Sequence, residues 1–149
     1  MHDKKYIAEI IDAKIDIINI IALLKFKVRN VDKKVLINNK TALSQRFAPL
    51  IKADSVKEFV ALFKGLPYEE VMQNAFKEYE SSGSFYPFEK GLYKYFRQFV
   101  AGKDLYHTLG PYPLFSYLIK KEIELRNLYV ISRGIDAGFS SEQIKELIV

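Results

Sequence analysis

The sequence predicts an all-α protein, a multi-helix bundle with two long helices at about residues 5–29 and 113–133 and several short helices. Two observations support this fold class. Apolar residues in both long segments recur with the 3.6-residue period of an α-helix. The remaining segments open with helix-capping residues or proline and stop at glycine, and no series of alternating apolar and polar runs is joined by hairpin turns.

The first long helix is predicted from Lys5 to Arg29. Its isoleucines and leucines share one broad arc, made of Ile7, Ile10, Ile11, Ile17, Ile18, Ile21 and Leu24. Polar residues form a stripe on the opposite side, namely Glu9, Asp12, Asp16 and Asn19. An apolar arc of this width needs more than one neighbouring element to cover it. Residues 31–40 break the period and are expected to form a connection.

Short helices follow, each with its own boundary signal. Residues Thr41–Lys52 are predicted as one short helix that Pro49 distorts or ends. Residues 55–58, Ser-Val-Lys-Glu, form a capping-box pattern that opens a helix reaching Phe63, and Gly65 ends it.

Two more helices are predicted before the second long one. Pro67 begins a helix that extends to about Glu80. The serine- and glycine-rich residues 81–84 are expected to form a loop, and the next helix extends from residue 87 to about residue 101. A turn is expected at residues 102–110.

The second long helix is predicted to begin at Pro113 and to reach Arg133 or Ile135. It is apolar nearly all round its circumference, so it is expected to be buried by neighbours on both flanks. Gly138 is expected to end it, and Ser140 is expected to cap a last short helix that extends to residue 149.

Composition limits the class of protein. The chain has 149 residues, a formal net charge of +5, 49% hydrophobic residues and no cysteine. This length suits a single helical domain over residues 1–149. The hydrophobic fraction excludes a disordered chain, and the lack of cysteine excludes disulfides, thiol catalysis and cysteine-ligated metals. The uncharged apolar stretch of the first long helix, residues 17–24, is too short to span a bilayer. A soluble, basic protein without direct membrane insertion is therefore expected.

Polar residues inside the two long helices are the candidate functional residues. Residues 14–20 and 122–128 share the pattern x-Ile-acid-apolar-x-Asn-apolar, which places an acid and an asparagine on the same side of each helix. An unpaired buried carboxylate would cost several kcal/mol, so these groups are expected to bond to another helix. The candidates, in structural or partner-contacting roles, are Asp16, Asn19, Glu122, Glu124, Arg126 and Asn127.

Two of these candidates are predicted to pair with each other. Glu122 and Arg126 stand four residues apart, with the acid first, which is the favourable order on a helix. Glu124 and Asn127 face elsewhere and are expected to contact the end or the side chains of a different helix.

The sequence contains no catalytic constellation. His2 and His107 stand in no metal-ligand motif, and there is no Gly-rich phosphate loop, no Gly-x-Ser-x-Gly and no zinc-protease pair. We therefore predict no catalytic residue, no metal, no cofactor and no small-molecule substrate. A small helical enzyme with Glu122 or Glu124 as general base would lack a supporting partner group.

Residues 110–128 carry a recognisable signature. They contain a Gly-x-x-Pro turn, a Tyr-Leu pair and Lys-Glu-x-Glu-x-x-Asn on a long helix, followed by a glycine-containing loop at residues 133–140 and a last short helix. This arrangement resembles the C-terminal signature of the C subunit family of A/V-type ATPases, whose eukaryotic V-ATPase member is the d subunit. Residues 16–29 and Phe88-Glu89 are similar to other helices of the family.

The resemblance implies a non-catalytic central-stalk subunit of a rotary V/A-type ATPase. In this family the subunit is a helical socket that couples the rotating shaft to the membrane rotor ring for ATP-linked proton or sodium transport. The implied partners are the central-shaft subunits and the rotor ring, with no nucleic acid, and the implied location is cytoplasmic and peripheral to the membrane. Because family members are more than twice as long, the chain is expected to be the C-terminal portion of a longer subunit.

A basic segment supports an alternative from a different class. A helical module that binds nucleic acid or an acidic protein would use the cations Lys25, Lys27, Arg29, Lys33 and Lys34. The same cations would equally suit a solvated helix end, where positive charge complements the helix dipole.

Overall fold

The computed structural model describes residues 2–29, 36, 40–104 and 110–149. Within these ranges the backbone forms seven α-helices and one 3₁₀ turn, Ser44–Arg46, and no strand. The helices are α1 (His2–Arg29), α2 (Phe47–Lys52), α3 (Val56–Ala61), α4 (Glu69–Ser82), α5 (Tyr86–Asp104), α6 (Tyr112–Asp136) and α7 (Ser141–Leu147). The predicted all-α fold is confirmed, since α1 and α6 are the two long helices and occupy the predicted segments.

One predicted loop is shorter in the structure. Ser81 and Ser82 form the end of α4, and the Ser82 hydroxyl donates to the carbonyl of Glu78 at 2.7 Å. Gly83 then ends the helix in the left-handed conformation, with φ of 66°, which glycine adopts without steric cost.

The segment predicted as a single helix over residues 41–52 is divided. Residues 44–46 form the 3₁₀ turn and α2 begins at Phe47. Pro49 lies in the first turn of α2, where its missing N–H removes no intrahelical bond, so the helix continues to Lys52. Most of the predicted connection at 31–40 and the middle of the predicted turn at 102–110 lie outside the described residues.

The two predicted capping boxes differ in detail. Ser140 Oγ accepts from the Gln143 N–H at 3.2 Å, and Gln143 Oε1 accepts from the Ser140 N–H at 2.8 Å, which completes the box of α7. At α3, Ser55 Oγ accepts from the Glu58 N–H at 3.1 Å, but the Glu58 carboxylate accepts from the Asp54 N–H at 2.8 Å. Both helices stop two residues earlier than predicted.

The chain divides into two compact units. Residues 8–92 form the central unit, and residues 1–7 with 93–149 form the terminal unit. The largest fully buried side chains of the central unit come from α1, α2, α3, α4 and α5 and from the turns beside α2 and α3. They are Ile10, Ile17, Ile20, Leu23, Leu24, Leu43, Leu50, Phe59, Phe63, Met72 and Phe88.

The buried surface of α1 includes most of the predicted arc and extends beyond it. Ile11 belongs to that arc but is 41% exposed, whereas Asp16 and Asn19 of the predicted polar stripe are buried. Ile20 and Leu23, outside the arc, are buried as well. Side chains are therefore covered well beyond one face of the helix.

Long side chains hold the ends of the short helices in the central unit. Lys27 Nζ donates to the carbonyl of Ile51 in α2 at 3.3 Å and also to the carbonyl of Ala53. Arg46 donates to the carbonyl of Leu62 and to that of Lys64, the latter at 2.9 Å. The last carbonyls of a helix have no intrahelical partner, so cations placed there satisfy them and complement the helix dipole.

In the terminal unit, α6 and α7 approach each other closely at a glycine. Gly134 is buried, and a Cβ built on it would lie 2.7 Å from Cγ1 of Ile144. The buried ring of Tyr112 at the start of α6 also reaches α5, where its hydroxyl donates to the carbonyl of Val100 at 3.1 Å.

We predict that Gly134→Ala destabilises the protein by about 1–3 kcal/mol, because the added methyl group overpacks the contact with Ile144. The matched control is Gly102→Ala in α5, where nothing lies within 4 Å of an added Cβ. That variant should gain up to about 1 kcal/mol from helix propensity. Urea denaturation followed by circular dichroism measures both. Equal effects of the two substitutions would contradict the close approach of α7.

Candidate functional site

Helix α6 is apolar on two sides, and one of them faces solvent. The packed side buries Tyr112, Ser116, Ile119, Ile123 and Gly134. On the other side seven large side chains are 54–66% exposed, namely Leu114, Tyr117, Leu118, Leu125, Leu128, Tyr129 and Ile135, and together they are called here the outer face of α6. The prediction that neighbours bury α6 on both flanks is therefore wrong. A helix that is apolar all round its circumference is expected to pack against neighbouring elements on every side. Within the described residues, only one side of α6 is packed in this way.

Glu124 lies at the edge of the outer face. Its carboxylate accepts from Lys121 Nζ at 2.6 Å, and both side chains are about half exposed. The prediction that Glu124 bonds to another helix is wrong, because a carboxylate in water needs no buried partner. An exposed pair of this kind contributes little to stability.

Asn127 does contact another part of the chain. Its Nδ2 donates to the carbonyl oxygen of Val149 at 2.7 Å, and the N–H of Val149 donates to its Oδ1 at 3.0 Å. One half-buried amide thus satisfies both backbone groups of the residue two positions beyond α7. This contact holds the segment after α7 against α6.

Arg126 and Glu122 line one cleft of the terminal unit. The cleft has a volume of about 240 Å³ and lies between α5 and α6, lined by Tyr93, Phe96, Glu122, Ile123, Arg126 and Tyr129. The guanidinium carbon of Arg126 lies 3.8 Å from the ring centre of Tyr93, which is a close cation–π contact. The predicted pairing of Glu122 with Arg126 stays a prediction.

Asp16 and Asn19 lie in the core of the central unit. Asp16 is 1% exposed, and its Oδ2 accepts from the hydroxyl of Tyr68 at 3.1 Å. Burial raises the pKa of Asp16, and the charge of Asp12 adds to this. The hydroxyls of Thr41 and Tyr68 and the N–H of Leu43 oppose the shift.

The two acid–asparagine patterns therefore have different environments. In α1 both members are buried, whereas in α6 the acid is exposed and only the asparagine is bonded to another segment. The patterns belong to different units of the chain. Identical sequence patterns do not produce identical sites here because the packing around the two helices differs.

Two tyrosines that contact Asp16 and Arg126 were not predicted from the sequence. Tyr68 supplies the hydroxyl to Asp16, and Tyr93 supplies the ring under Arg126. Neither has a local motif, because each partner lies far away in sequence. The outer face did carry a signal, since Leu114, Leu118, Leu125 and Leu128 follow spacings of three, four and seven residues that place them on one side of a helix.

Two cations of the basic segment, Lys25 and Lys27, make contacts within the central unit. Lys25 pairs with Glu89 at 2.6 Å, and Lys27 holds the end of α2. Lys33, Lys34 and the side chain of Arg29 lie outside what is described. The alternative of a nucleic-acid-binding module or a module for an acidic protein gains no support.

Acidic and histidine side chains do not gather into a metal site in the described part of the chain. Across residues 2–29, 36, 40–104 and 110–149, no three His, Cys, Asp or Glu side chains converge as metal ligands. In the same ranges no helix combines the length and the hydropathy that crossing a membrane requires.

Comparison with known proteins identifies the family. The sequence profile of the family described as ATP synthase (C/AC39) subunit matches residues 1–147. The chain belongs to this ATP synthase subunit family. The resemblance carried by residues 110–128 is thereby confirmed.

Individual relatives agree with the family match. The chain is 28% identical over 149 residues to the C subunit of the A-type ATP synthase of Methanocaldococcus jannaschii, an alignment that covers 95% of this chain and 37% of the relative. It is 24% identical over 153 residues to the same protein of Methanobrevibacter smithii, an alignment that covers 99% of this chain and 40% of the relative. It is 28% identical over 151 residues to the same protein of Pyrococcus abyssi, an alignment that covers 98% of this chain and 40% of the relative.

This member of the ATP synthase (C/AC39) family thus spans 37–40% of the length of these curated relatives. No solved structure matches it significantly. Within the pattern Lys-Glu-x-Glu-x-x-Asn at residues 121–127, Lys121 and Glu124 pair in solvent, and Asn127 holds Val149.

We predict that Asp16→Asn changes the pH dependence of stability. Because the pKa of Asp16 is raised in the folded state, its contribution to stability is full below the ordinary aspartate pKa and is lost as pH rises through the folded-state pKa. Asparagine keeps an acceptor for Tyr68 and does not ionise. The variant should therefore gain stability relative to the parent chain as pH rises from about 3 to 7, measured by urea denaturation at each pH. Parallel curves for the two chains would contradict this assignment.

We predict that Asn127→Ala releases the segment after α7. Two hydrogen bonds to Val149 are lost, at an expected cost of about 1–3 kcal/mol, and the Val149 N–H should exchange with solvent much faster. Glu124→Ala on the same helix is the control and should cost under about 1 kcal/mol. Hydrogen exchange followed by NMR measures the difference. Unchanged exchange of the Val149 amide would exclude the contact.

Proposed function

We propose that the chain is a non-catalytic coupling subunit in the central stalk of a rotary A/V-type ATPase. In this role it serves as part of a helical socket between the rotating shaft and the membrane rotor ring. The match of the ATP synthase (C/AC39) subunit profile to residues 1–147 is the observation that carries the proposal. The relatives in three archaea, each named as the C subunit of an A-type ATP synthase, support it.

The mechanical part of the proposal is supported by how the helices are held. A coupling element must transmit force without fraying, and helix ends fray first because their backbone groups lack intrahelical partners. Here Lys27 and Arg46 bind the carbonyls at the ends of short helices, and Asn127 binds the segment after α7. These contacts stiffen the points at which a short helix would otherwise open.

The proposal also assigns catalysis to other subunits and states which portion of the socket the chain supplies. The sequence has no catalytic motif, so ATP turnover and ion movement are assigned to other subunits. Because the chain spans 37–40% of the relatives and residues 110–128 resemble the C-terminal signature of the family, we propose that it supplies the C-terminal portion of the socket. It would act at the cytoplasmic side of the membrane, bound to the shaft and the ring, and would take no nucleic acid.

Co-purification tests this proposal. The tagged chain is expressed together with the shaft and rotor-ring subunits of the same genome, and the detergent-solubilised complex is captured through the tag. We expect both partners to be retained and the isolated chain to hydrolyse no ATP. Ile123→Asp, which places a carboxylate in the packed side of α6, is the control and should lose retention together with folding.

Two results would refute the coupling role. One is failure of the folded chain to retain either partner at low salt. The other is ATP hydrolysis by the chain alone, which a structural subunit would not support.

A further inference from the structure

The outer face of α6 lies opposite the packed side of the helix. At about 100° per residue, the seven exposed side chains of this face fall within an arc of about 120°. The buried residues of the packed side fall within a narrower arc, centred about 170° away. The neighbours that bury Ile119 and Ile123 therefore cover none of the outer face.

The exposed area is larger than a protein that works alone ordinarily leaves in water. The seven side chains of the outer face are 54–66% exposed. At about 100 Å² of uncovered surface for each side chain, the face amounts to roughly 700 Å². This area exceeds the usual largest apolar patch of a monomer and is close to one partner's share of a standard interface. A surface of this size needs cover from another element.

The residues of the outer face are spaced for contact with another helix. Leucine or isoleucine stands at positions 114, 118, 125, 128 and 135. Together with positions 121 and 132, these positions alternate steps of four and three residues, which is the spacing by which two helices interlock along their length. Lys121 is neutralised by Glu124 at 2.6 Å. The outer face therefore suits the apolar stripe of a second helix.

The composition of the outer face indicates a permanent contact. Five of its seven side chains are leucine or isoleucine, and the other two are tyrosine. Interfaces that stay together resemble a domain core cut in half, whereas interfaces that form and separate are more polar. The outer face belongs to the first kind. A neighbour that packs against α6 when the subunit folds fits it better than a partner that binds afterwards.

The family provides such a neighbour. The alignments to three C subunits cover at least 95% of this chain but only 37–40% of each relative. More than half of each relative therefore has no counterpart among these 149 residues. Each relative contains a segment aligned with α6 and, in addition, a large portion of chain that is able to pack against it.

From the area, the spacing and this additional portion, we propose that the outer face of α6 packs against a helix of the C-subunit portion that the relatives have and these 149 residues lack. The face is then an internal surface of a complete C subunit, and the helix that covers it carries an apolar stripe. This inference goes beyond the coupling function, because it rests on family membership and leaves the shaft and the rotor ring to other surfaces.

The same substitution in two proteins tests this proposal. In the chain described here Leu125 is 66% exposed, so Leu125→Asp should raise the unfolding equilibrium constant by less than about fivefold. The second protein is the isolated full-length C subunit of Methanobrevibacter smithii, whose alignment covers 99% of this chain. Changing its aligned residue to aspartate should raise the unfolding equilibrium constant at least about a hundredfold, because the carboxylate would be buried. Guanidinium denaturation followed by circular dichroism measures both.

Thiol labelling gives a second readout that does not require a charge to be tolerated in the contact. The chain has no cysteine, so Leu125→Cys introduces a single exposed thiol that should react rapidly with a maleimide. The aligned cysteine in the full-length relative should react at least about a hundredfold more slowly, because a covered thiol reacts only when its contact opens. Ile123→Cys is the matched control. Ile123 is 5% exposed on the packed side of the same helix, so its thiol should be protected in both proteins.

The outcomes separate this proposal from the coupling function. Equal labelling of the Leu125→Cys thiol and the aligned thiol, in two folded proteins, overturns the proposal. A full-length aspartate variant as stable as its parent also overturns it, and loss of the shaft or the ring by that variant would assign the outer face to one of those partners. Failure of the parent chain to retain shaft and ring would refute the coupling function alone, while protection of the aligned thiol would still place the outer face inside the C subunit.

Discussion

The structure depends on how its short helices satisfy their ends. Helices α2, α3 and α7 have six, six and seven residues, so most of their backbone groups belong to a terminal turn without intrahelical partners. Helices of this length are not stable alone. Side chains from distant positions supply hydrogen-bond donors to the carbonyls at these ends. Lys27 binds the end of α2, and Arg46 binds the residues after α3. The ends of these short helices are therefore held by polar contacts from distant residues, in addition to the apolar core.

Helix α6 carries two apolar sides, one packed against its own unit and one exposed to solvent. Its packed side carries a glycine so that α7 approaches closely, and its outer face carries leucines and tyrosines into solvent. A helix with a single apolar stripe would be complete within its own unit. The second stripe instead requires another molecule or another segment, which agrees with membership of a family whose proteins work inside a larger assembly.

The sequence predicted the helices well because helix boundaries are local. The caps at Ser55 and Ser140 depend on residues within a few positions. Family membership was also predictable, since the signature at 110–128 is contiguous. Burial was not predictable, because it depends on neighbours: Asp16 is enclosed by residues more than twenty positions away, whereas Glu124 with the same local pattern remains in water. The partners Tyr68 and Tyr93 could not be found for the same reason.

The bonds made by α1 have a consequence for how the chain assembles. Lys27, Asp16 and Lys25 bind groups at residues 51, 68 and 89, all later in the chain. A helix of 28 residues gains most from local hydrogen bonding, so it can form early and offer docking points before the shorter helices exist. During synthesis, residues 51, 68 and 89 leave the ribosome after the groups of α1 that will bind them. The central unit is thereby suited to fold in the order in which it is translated.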